Sequence, residues 1–178
     1  MENPGGRFDF DGQALRYPDI RLVWWAGGNP YHHHQDLNRF ARAWEKPETV
    51  IVNDWCWTAT ARRADIVLPS TTHLERNDLM MSLRDPYVIA MKKSAEPPQG
   101  ARNDHDIFRG LAARMGFEEE FSGGMDEGEW LRWLYDKTRQ NAGAEGLGLP
   151  DWHELQDKGW HRTPPPDTPT LARAVHGR

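Results

Sequence analysis

Ile20-Arg21-Leu22-Val23-Trp24-Trp25-Ala26-Gly27-Gly28-Asn29-Pro30 is the stretch on which the fold turns. Its first seven residues form an apolar run with the length and the β-branched, aromatic make-up of a buried strand. The run stops where two glycines allow backbone angles closed to other residues and where Pro30 cannot continue a hydrogen-bonded ladder. A loop over residues 27–34 is therefore expected to follow the strand.

Moving outward, the period changes from Gln35. Leu37, Phe40, Ala41 and Trp44 fall at i, i+3, i+4 and i+7 behind Asp36, a capping residue type, which predicts a helix ending before Pro47. Thr49-Val50-Ile51-Val52 predicts a second strand. Strand, helix, strand in this span is a crossover unit, so the two strands are parallel. A third short strand, Ile66-Val67-Leu68, ends at Pro69. On the other side, residues 1–19 carry Pro4, Gly5, Gly6, Gly12 and Pro18 and read as turn-rich and polar. Residues 70–103 show no clear period and read as loops, with a strand at residues 87–91. Helices resume with the stripe Ile107, Phe108, Leu111, Ala112 and Met115, capped by Asn103 or Asp104 and closed by Gly116. Asp126 with Glu129 and Asp151 with Glu154 each form a D-x-x-E variant of the capping box, predicting helices over 127–141 and 151–158. Pro164-Pro165-Pro166-Asp167-Thr168-Pro169 predicts an extended linker.

At 178 residues the chain has the size of one domain. The apolar fraction of 38% and the mean hydropathy of -0.83 are low for a compact globule, while nine Trp residues are a heavy aromatic load. Some of that aromatic surface is expected to meet a partner or ligand. The formal charge of -5 and the lack of a long Lys/Arg run argue against an electrostatic grip on nucleic acid or on an anionic membrane. Cys56 is the single cysteine, so the chain holds no internal disulfide and no Cys-based metal or iron–sulfur cluster. The start does not read as a signal peptide, and no segment approaches membrane-span length.

In an open parallel sheet, ligands bind beyond the carboxyl ends of the strands. Two loops occupy that edge, residues 27–34 and the loop that begins at Asn53-Asp54 and runs through Trp55-Cys56-Trp57-Thr58-Ala59-Thr60. Glycines let backbone approach a pyrophosphate, and a carboxylate after the next strand can accept from a ribose diol or a guanine edge. The G-x-G-x-x-G fingerprint is absent, so a glycine turn and a capping Asp account for the same residues. His32, His33 and His34 point in different directions and lack evident acidic or Cys partners, which speaks against a metal site. Arg76 is either a surface ion-pair residue or a phosphate clamp. Asp106 is either a first-turn carboxylate favoured by the helix dipole or a ligand contact.

Residues 20–78, with Trp-Ala-Gly-Gly-Asn-Pro-Tyr-His-His-His-Gln-Asp-Leu-Asn-Arg at 25–39 and Trp-Thr-Ala-Thr-Ala-Arg-Arg-Ala-Asp-Ile-Val-Leu-Pro-Ser-Thr-Thr at 57–72, strongly resemble the molybdopterin-guanine-dinucleotide oxidoreductases. Within them the likeness is to the dimethyl sulfoxide, trimethylamine N-oxide and biotin sulfoxide reductase branch, from which Gly-Gly-Asn-Pro and three His separate the formate dehydrogenase and nitrate reductase branches. It continues through residues 89–93, 101–108 and 125–131 and fades in the Pro-rich tail.

The resemblance implies an open, mostly parallel doubly wound, Rossmann-like α/β sheet with flanking helices. Residues 1–160 would be the family's third domain and 161–178 a linker towards a C-terminal domain outside this chain. The implied cofactor is bis-molybdopterin guanine dinucleotide, its molybdenum held by segments absent here, so neither a catalytic residue nor a metal ligand is expected in this chain. Gly28, Asn29, His33, Asp54, Thr58, Arg76 and Asp106 are the implied cofactor contacts at the guanosine end. Asp54 or Asp106 would accept from guanine or ribose, Arg76 would lie near the diphosphate, and Asn29 and His33 would donate to ribose or phosphate oxygens. The implied reaction is the reduction of an S- or N-oxide by oxygen-atom transfer. The partners are the remaining domains, in the same chain or separately encoded, and a small oxide substrate; alone the chain is expected to be inactive. The compartment is left open between periplasm and cytoplasm of a bacterium. Two other readings stand beside this one: a free-standing nucleotide-binding module, and a remnant without catalysis.

Overall fold

The computed structural model describes residues 2–82, 85–144 and 146–164. The chain separates into two compact units, residues 1–72 with 97–104, and residues 73–96 with 105 onward.

The first unit opens with an antiparallel hairpin, β1 (Arg7–Phe10) and β2 (Gln13–Arg16). Residues 2–19 thus carry more regular structure than their turn-rich composition predicts. The hairpin is specified by its turn: Asp11 and Gly12 both take positive φ, 50° and 76°, the conformation that an Asp-Gly pair supplies to a two-residue connection. Its strands are almost wholly exposed, so no apolar alternation announces them.

At the centre of this unit lie β3 (Leu22–Ala26), β4 (Thr49–Asp54) and β5 (Ile66–Pro69), parallel and in that order. Val23 pairs with Val50, and Trp25 with Val52, which pairs in turn with Val67. Because side chains alternate across a strand, these residues share one face. On it α1 (Pro30–His33) and α2 (Leu37–Trp44) place Tyr31 and Trp44, which with Val50, Val52 and Ala61 form a buried core. Tyr31 meets Phe40 and Trp44 edge-on at 4.9 and 5.8 Å, the geometry that aromatic quadrupoles favour. Asp36 caps α2 as expected, its carboxylate accepting the Arg39 N–H at 3.1 Å. Phe40, Ala41 and Trp44 of the predicted stripe pack inward, whereas Leu37, in the first turn, stays 43% exposed. The single turn α1 lies inside the span expected to be loop; Pro30 at its start has the φ and the missing N–H that suit a first helical position.

The second unit is built on an antiparallel sheet, β6 (Asp78–Ser82), β7 (Asp85–Met91) and β8 (Trp160–Arg162). The mostly parallel arrangement expected for the chain holds for β3, β4 and β5; the remaining strands pair antiparallel. Around this second sheet the sequence runs through α3 (Asp104–Met115, whose first residue belongs to the first unit), α4 (Glu118–Ser122), α5 (Glu127–Ala144) and α6 (Trp152–Lys158). Val88, Ala90, Tyr135 and Leu155 make its core, with Leu79, Leu149 and Trp152 against them. The α5 capping box is reciprocal: Glu129 N–H donates to Asp126 Oδ1 at 2.9 Å and Asp126 N–H to Glu129 Oε2 at 3.0 Å. Gly116 and Gly159 follow α3 and α6 at φ 83° and 82°, where a Cβ would be strained. Residues 165–178, most of the expected linker, lie outside the described residues. No described helix is long and apolar enough to cross a membrane.

Candidate functional site

The carboxyl ends of β3, β4 and β5 form one rim, and the rim is polar and buried at once. Asn53, Asp54, Thr60, Ser70 and Thr71 are all buried there; among the described residues the other buried polar side chain is Ser122. Buried polar groups must find partners or cost roughly 1–3 kcal/mol each, and these are knitted together. Trp24 Nε1 donates to Asn53 Oδ1 at 3.0 Å, and Asn53 Nδ2 donates to Asp104 Oδ1 at 2.8 Å. Arg102 N–H donates to the Pro69 carbonyl and Thr71 N–H to that of Arg102, both at 3.1 Å, so residues 101–104 run beside the end of β5. Thr71 Oγ1 adds a bond to Asn103 Oδ1 at 2.7 Å.

The two loops singled out from the sequence meet at Thr60. Its hydroxyl bonds Asn29 Oδ1, and the Tyr31 N–H approaches the same hydroxyl at 3.5 Å. Asn29, expected as a ligand contact, thus spends its carbonyl oxygen on holding the β3 loop to the β4 loop. Asp54 has a comparable local task. Its Oδ1 accepts the Trp55 N–H at 2.9 Å and the Cys56 N–H at 3.5 Å, and its Oδ2 accepts the Thr58 hydroxyl at 2.5 Å. Thr58 Oγ1 in turn accepts the Ala61 N–H, the first of the 3₁₀ turn Ala61–Arg63, at 3.1 Å. The carboxylate still has lone pairs to offer a ligand, since an ionised Asp can accept about four hydrogen bonds.

Gly27 and Gly28 turn the chain at φ 78° and 77°, with open space on the side where a Cβ of Gly27 would stand. The Trp25 indole N–H is buried without a partner, 3.9 Å from the place a Cβ of Gly28 would take. An orphaned donor beside a bare glycine backbone is a feature that an anionic or polar ligand could satisfy. His33 is exposed at the end of α1, its ring 5.2 Å from that of His34, which stacks on Phe40 at 4.6 Å. Among the described residues no group of three or more His, Cys, Asp or Glu side chains is placed to hold a metal ion.

The structure therefore brings Gly28, Asn29, Asp54 and Thr58 to one rim, with His33 on the turn beside it. Arg76 and Asp106 belong to the second unit. Arg76 pairs with Asp78 Oδ2 through Nε and Nη2 at 3.1 and 2.9 Å, and its Nη2 lies 3.2 Å from His73 Nδ1. Asp106 stands exposed in the first turn of α3, its carboxylate 3.8 Å from His105 Nδ1. Asn53, Thr60 and Asp104, which tie the rim together, were not among the residues expected from the sequence. Asn53 and Thr60 are small polar residues beside apolar segments, a weak signal that gains meaning only when their burial is known.

Residues 4–114 match the family model for molybdopterin oxidoreductases. The chain is 52% identical over 158 residues to a biotin sulfoxide reductase of Cereibacter sphaeroides, covering 88% of this chain and 21% of that protein. It is 46% identical over 161 residues to a dimethyl sulfoxide/trimethylamine N-oxide reductase of Rhodobacter capsulatus, covering 89% of this chain and 20% of the relative. To a trimethylamine-N-oxide reductase of Haemophilus influenzae it is 45% identical over 165 residues, 92% of this chain and 20% of the other. The chain thus spans about a fifth of the length of the curated relatives it matches. Among solved structures, the acetylene hydratase from Pelobacter acetylenicus superposes with a TM-score of 0.66 at 22% identity, over 87% of this chain and 20% of that one, a likeness of fold. With 111 of its 178 residues inside the family model, and relatives at these identities along most of its length, the chain belongs to the molybdopterin oxidoreductase family.

Proposed function

We propose that this chain is the part of an S- or N-oxide reductase that holds the guanosine-diphosphate end of one pterin of a bis-molybdopterin guanine dinucleotide cofactor. The observation that carries the reading is the buried polar rim at the carboxyl ends of β3, β4 and β5, where Thr60 fastens the Gly27-Gly28-Asn29 turn to the loop of Asp54. The rim lies within the family match, and the relatives are named as sulfoxide and N-oxide reductases. Residues 1–160 then act as the cofactor-binding α/β domain. The three parallel strands are the nucleus of a doubly wound sheet completed by other segments of the reductase, and the segment from 161 leads on to a further domain.

The residues fit such a group. Backbone N–H groups of the glycine turn, the Asn29 amide and the unpartnered Trp25 N–H are donors for phosphate or ribose oxygens, and His33 stands beside them. Asp54 supplies acceptor capacity for guanine or ribose, while Thr58 fixes the carboxylate that does so. For Arg76 and Asp106, which belong to the second unit, a cofactor contact rests on the resemblance alone. When bound, the molybdenum-pterin group supplies the oxygen-atom transfer chemistry; this chain supplies position and electrostatics.

Asp54→Asn in the full-length reductase tests the reading. The amide keeps the shape of the side chain and removes the charge. The molybdenum content per protein, and the guanosine monophosphate released on hydrolysis, should fall several-fold together. Undiminished content of both would refute the role.

A further inference from the structure

We infer that Trp55 and Trp57 form the platform on which the purine ring of the bound nucleotide stacks. The inference deepens the reading of the rim as a guanosine-diphosphate site and rests on it.

Both indoles are 67% exposed, and both sit in the loop that leaves the carboxyl end of β4. Exposure of a large ring at a frayed loop tip would mean little. Here the backbone that carries the rings is pinned. The Trp55 N–H is held by Asp54 Oδ1 at 2.9 Å, the Thr58 N–H by the Cys56 carbonyl at 2.8 Å, and the Trp57 carbonyl accepts Arg62 Nε at 3.1 Å. Large aromatic side chains are normally buried for the apolar area they carry. Two of them held out from a hydrogen-bonded loop, at the strand ends where parallel sheets receive ligands, mark a contact surface.

Chemistry narrows what the surface contacts. A guanosine diphosphate presents phosphate oxygens, polar purine edges and two flat apolar faces. The glycine turn, Asn29 and Asp54 can answer the phosphates and the edges, but none of them can cover a face. Of the Trp, Tyr and Phe residues in the loops after β3 and β4, Tyr31 is consumed in the core, which leaves Trp55 and Trp57. Stacking of a base on an aromatic side chain tolerates any base but strengthens with ring area, so the platform favours purine over pyrimidine.

The test uses the full-length reductase freed of its cofactor, with GDP as the probe in equilibrium dialysis and inorganic pyrophosphate as competitor. Trp55→Ala and Trp57→Ala should each weaken GDP binding by about 5- to 150-fold. Trp55→Phe and Trp57→Phe should recover most of it, pyrophosphate should compete equally in all variants, and CDP should bind more weakly than GDP only while the indoles are present. Unchanged GDP affinity in both alanine variants would overturn the platform and leave the rim reading intact. Equal loss of GDP and pyrophosphate would overturn it as well, by showing that the loop rather than the ring had been disturbed. Failure of the unaltered, cofactor-free reductase to take up GDP would sink the rim reading, and the platform with it.

Discussion

Thr60 is fully buried, and its hydroxyl bonds Asn29 Oδ1 while standing 3.5 Å from the Tyr31 N–H. Thr60→Val keeps the shape and removes both interactions, leaving the half-buried Asn29 amide oxygen without its donor. Loss of such a hydrogen bond costs about 0.5–1.5 kcal/mol, and urea titration should show the midpoint falling accordingly, with Thr60→Ser recovering most of it. In the second unit Tyr135 is also fully buried, its hydroxyl donating to the Pro150 carbonyl at 2.8 Å. Tyr135→Phe removes one hydrogen bond and no apolar area, so a loss of about 1 kcal/mol is expected in the same titration. An unchanged midpoint would mean that water reaches Pro150 and replaces the bond.

Two helices show capping at work. The box at the start of α5 satisfies donors in both directions, and Asp126→Ala should cost about 0.5–2 kcal/mol, read as a lowered midpoint in urea. At α6 the Glu154 N–H, donating at 2.9 Å, holds the Asp151 carboxyl below its ordinary value, with help from the His153 N–H. A carboxyl whose folded value is depressed contributes stability above its unfolded value of about 3.9 and loses it as pH falls through the folded value. Unfolding followed from pH 6 downward should therefore show the Asp151→Ala protein less stable at the upper end and converging with the unaltered chain at strong acid. Parallel curves would show that the carboxylate does not carry the cap. Elements with such local signals, α2, α3, α5 and α6, stand where the sequence puts them. β6 and β8 were missed because Asp-Leu-Met-Met-Ser and Trp-His-Arg are short and carry no alternation; their partner β7 is what makes them strands.

Each unit buries one tyrosine in its core, Tyr31 in the first and Tyr135 in the second, and burial raises both phenols above the ordinary value. A raised folded value means stability that is complete below the unfolded value of about 10 and is lost as pH climbs through the folded one. Tyrosinate absorbance and far-UV dichroism followed together above pH 10 should show both phenols ionising with the loss of structure rather than before it. Ionisation with the fold intact would place them in contact with solvent. What this chain's sequence determined by itself was local: the apolar run that becomes β3, the crossover that makes β3 and β4 parallel, the capped helices, and the two loops carrying Asn29, Asp54 and Thr58. Those features depend on spacing, turn chemistry and capping, which neighbouring residues decide among themselves. Only the tertiary structure decided that Thr60 locks the loops together, that Asn53 reaches Asp104 across 51 positions of sequence, and that Trp55 and Trp57 stand out in water while Trp44 is sealed in. Burial and long-range pairing are properties of the packed chain, and a residue's type alone cannot say which of its atoms will be left facing a ligand.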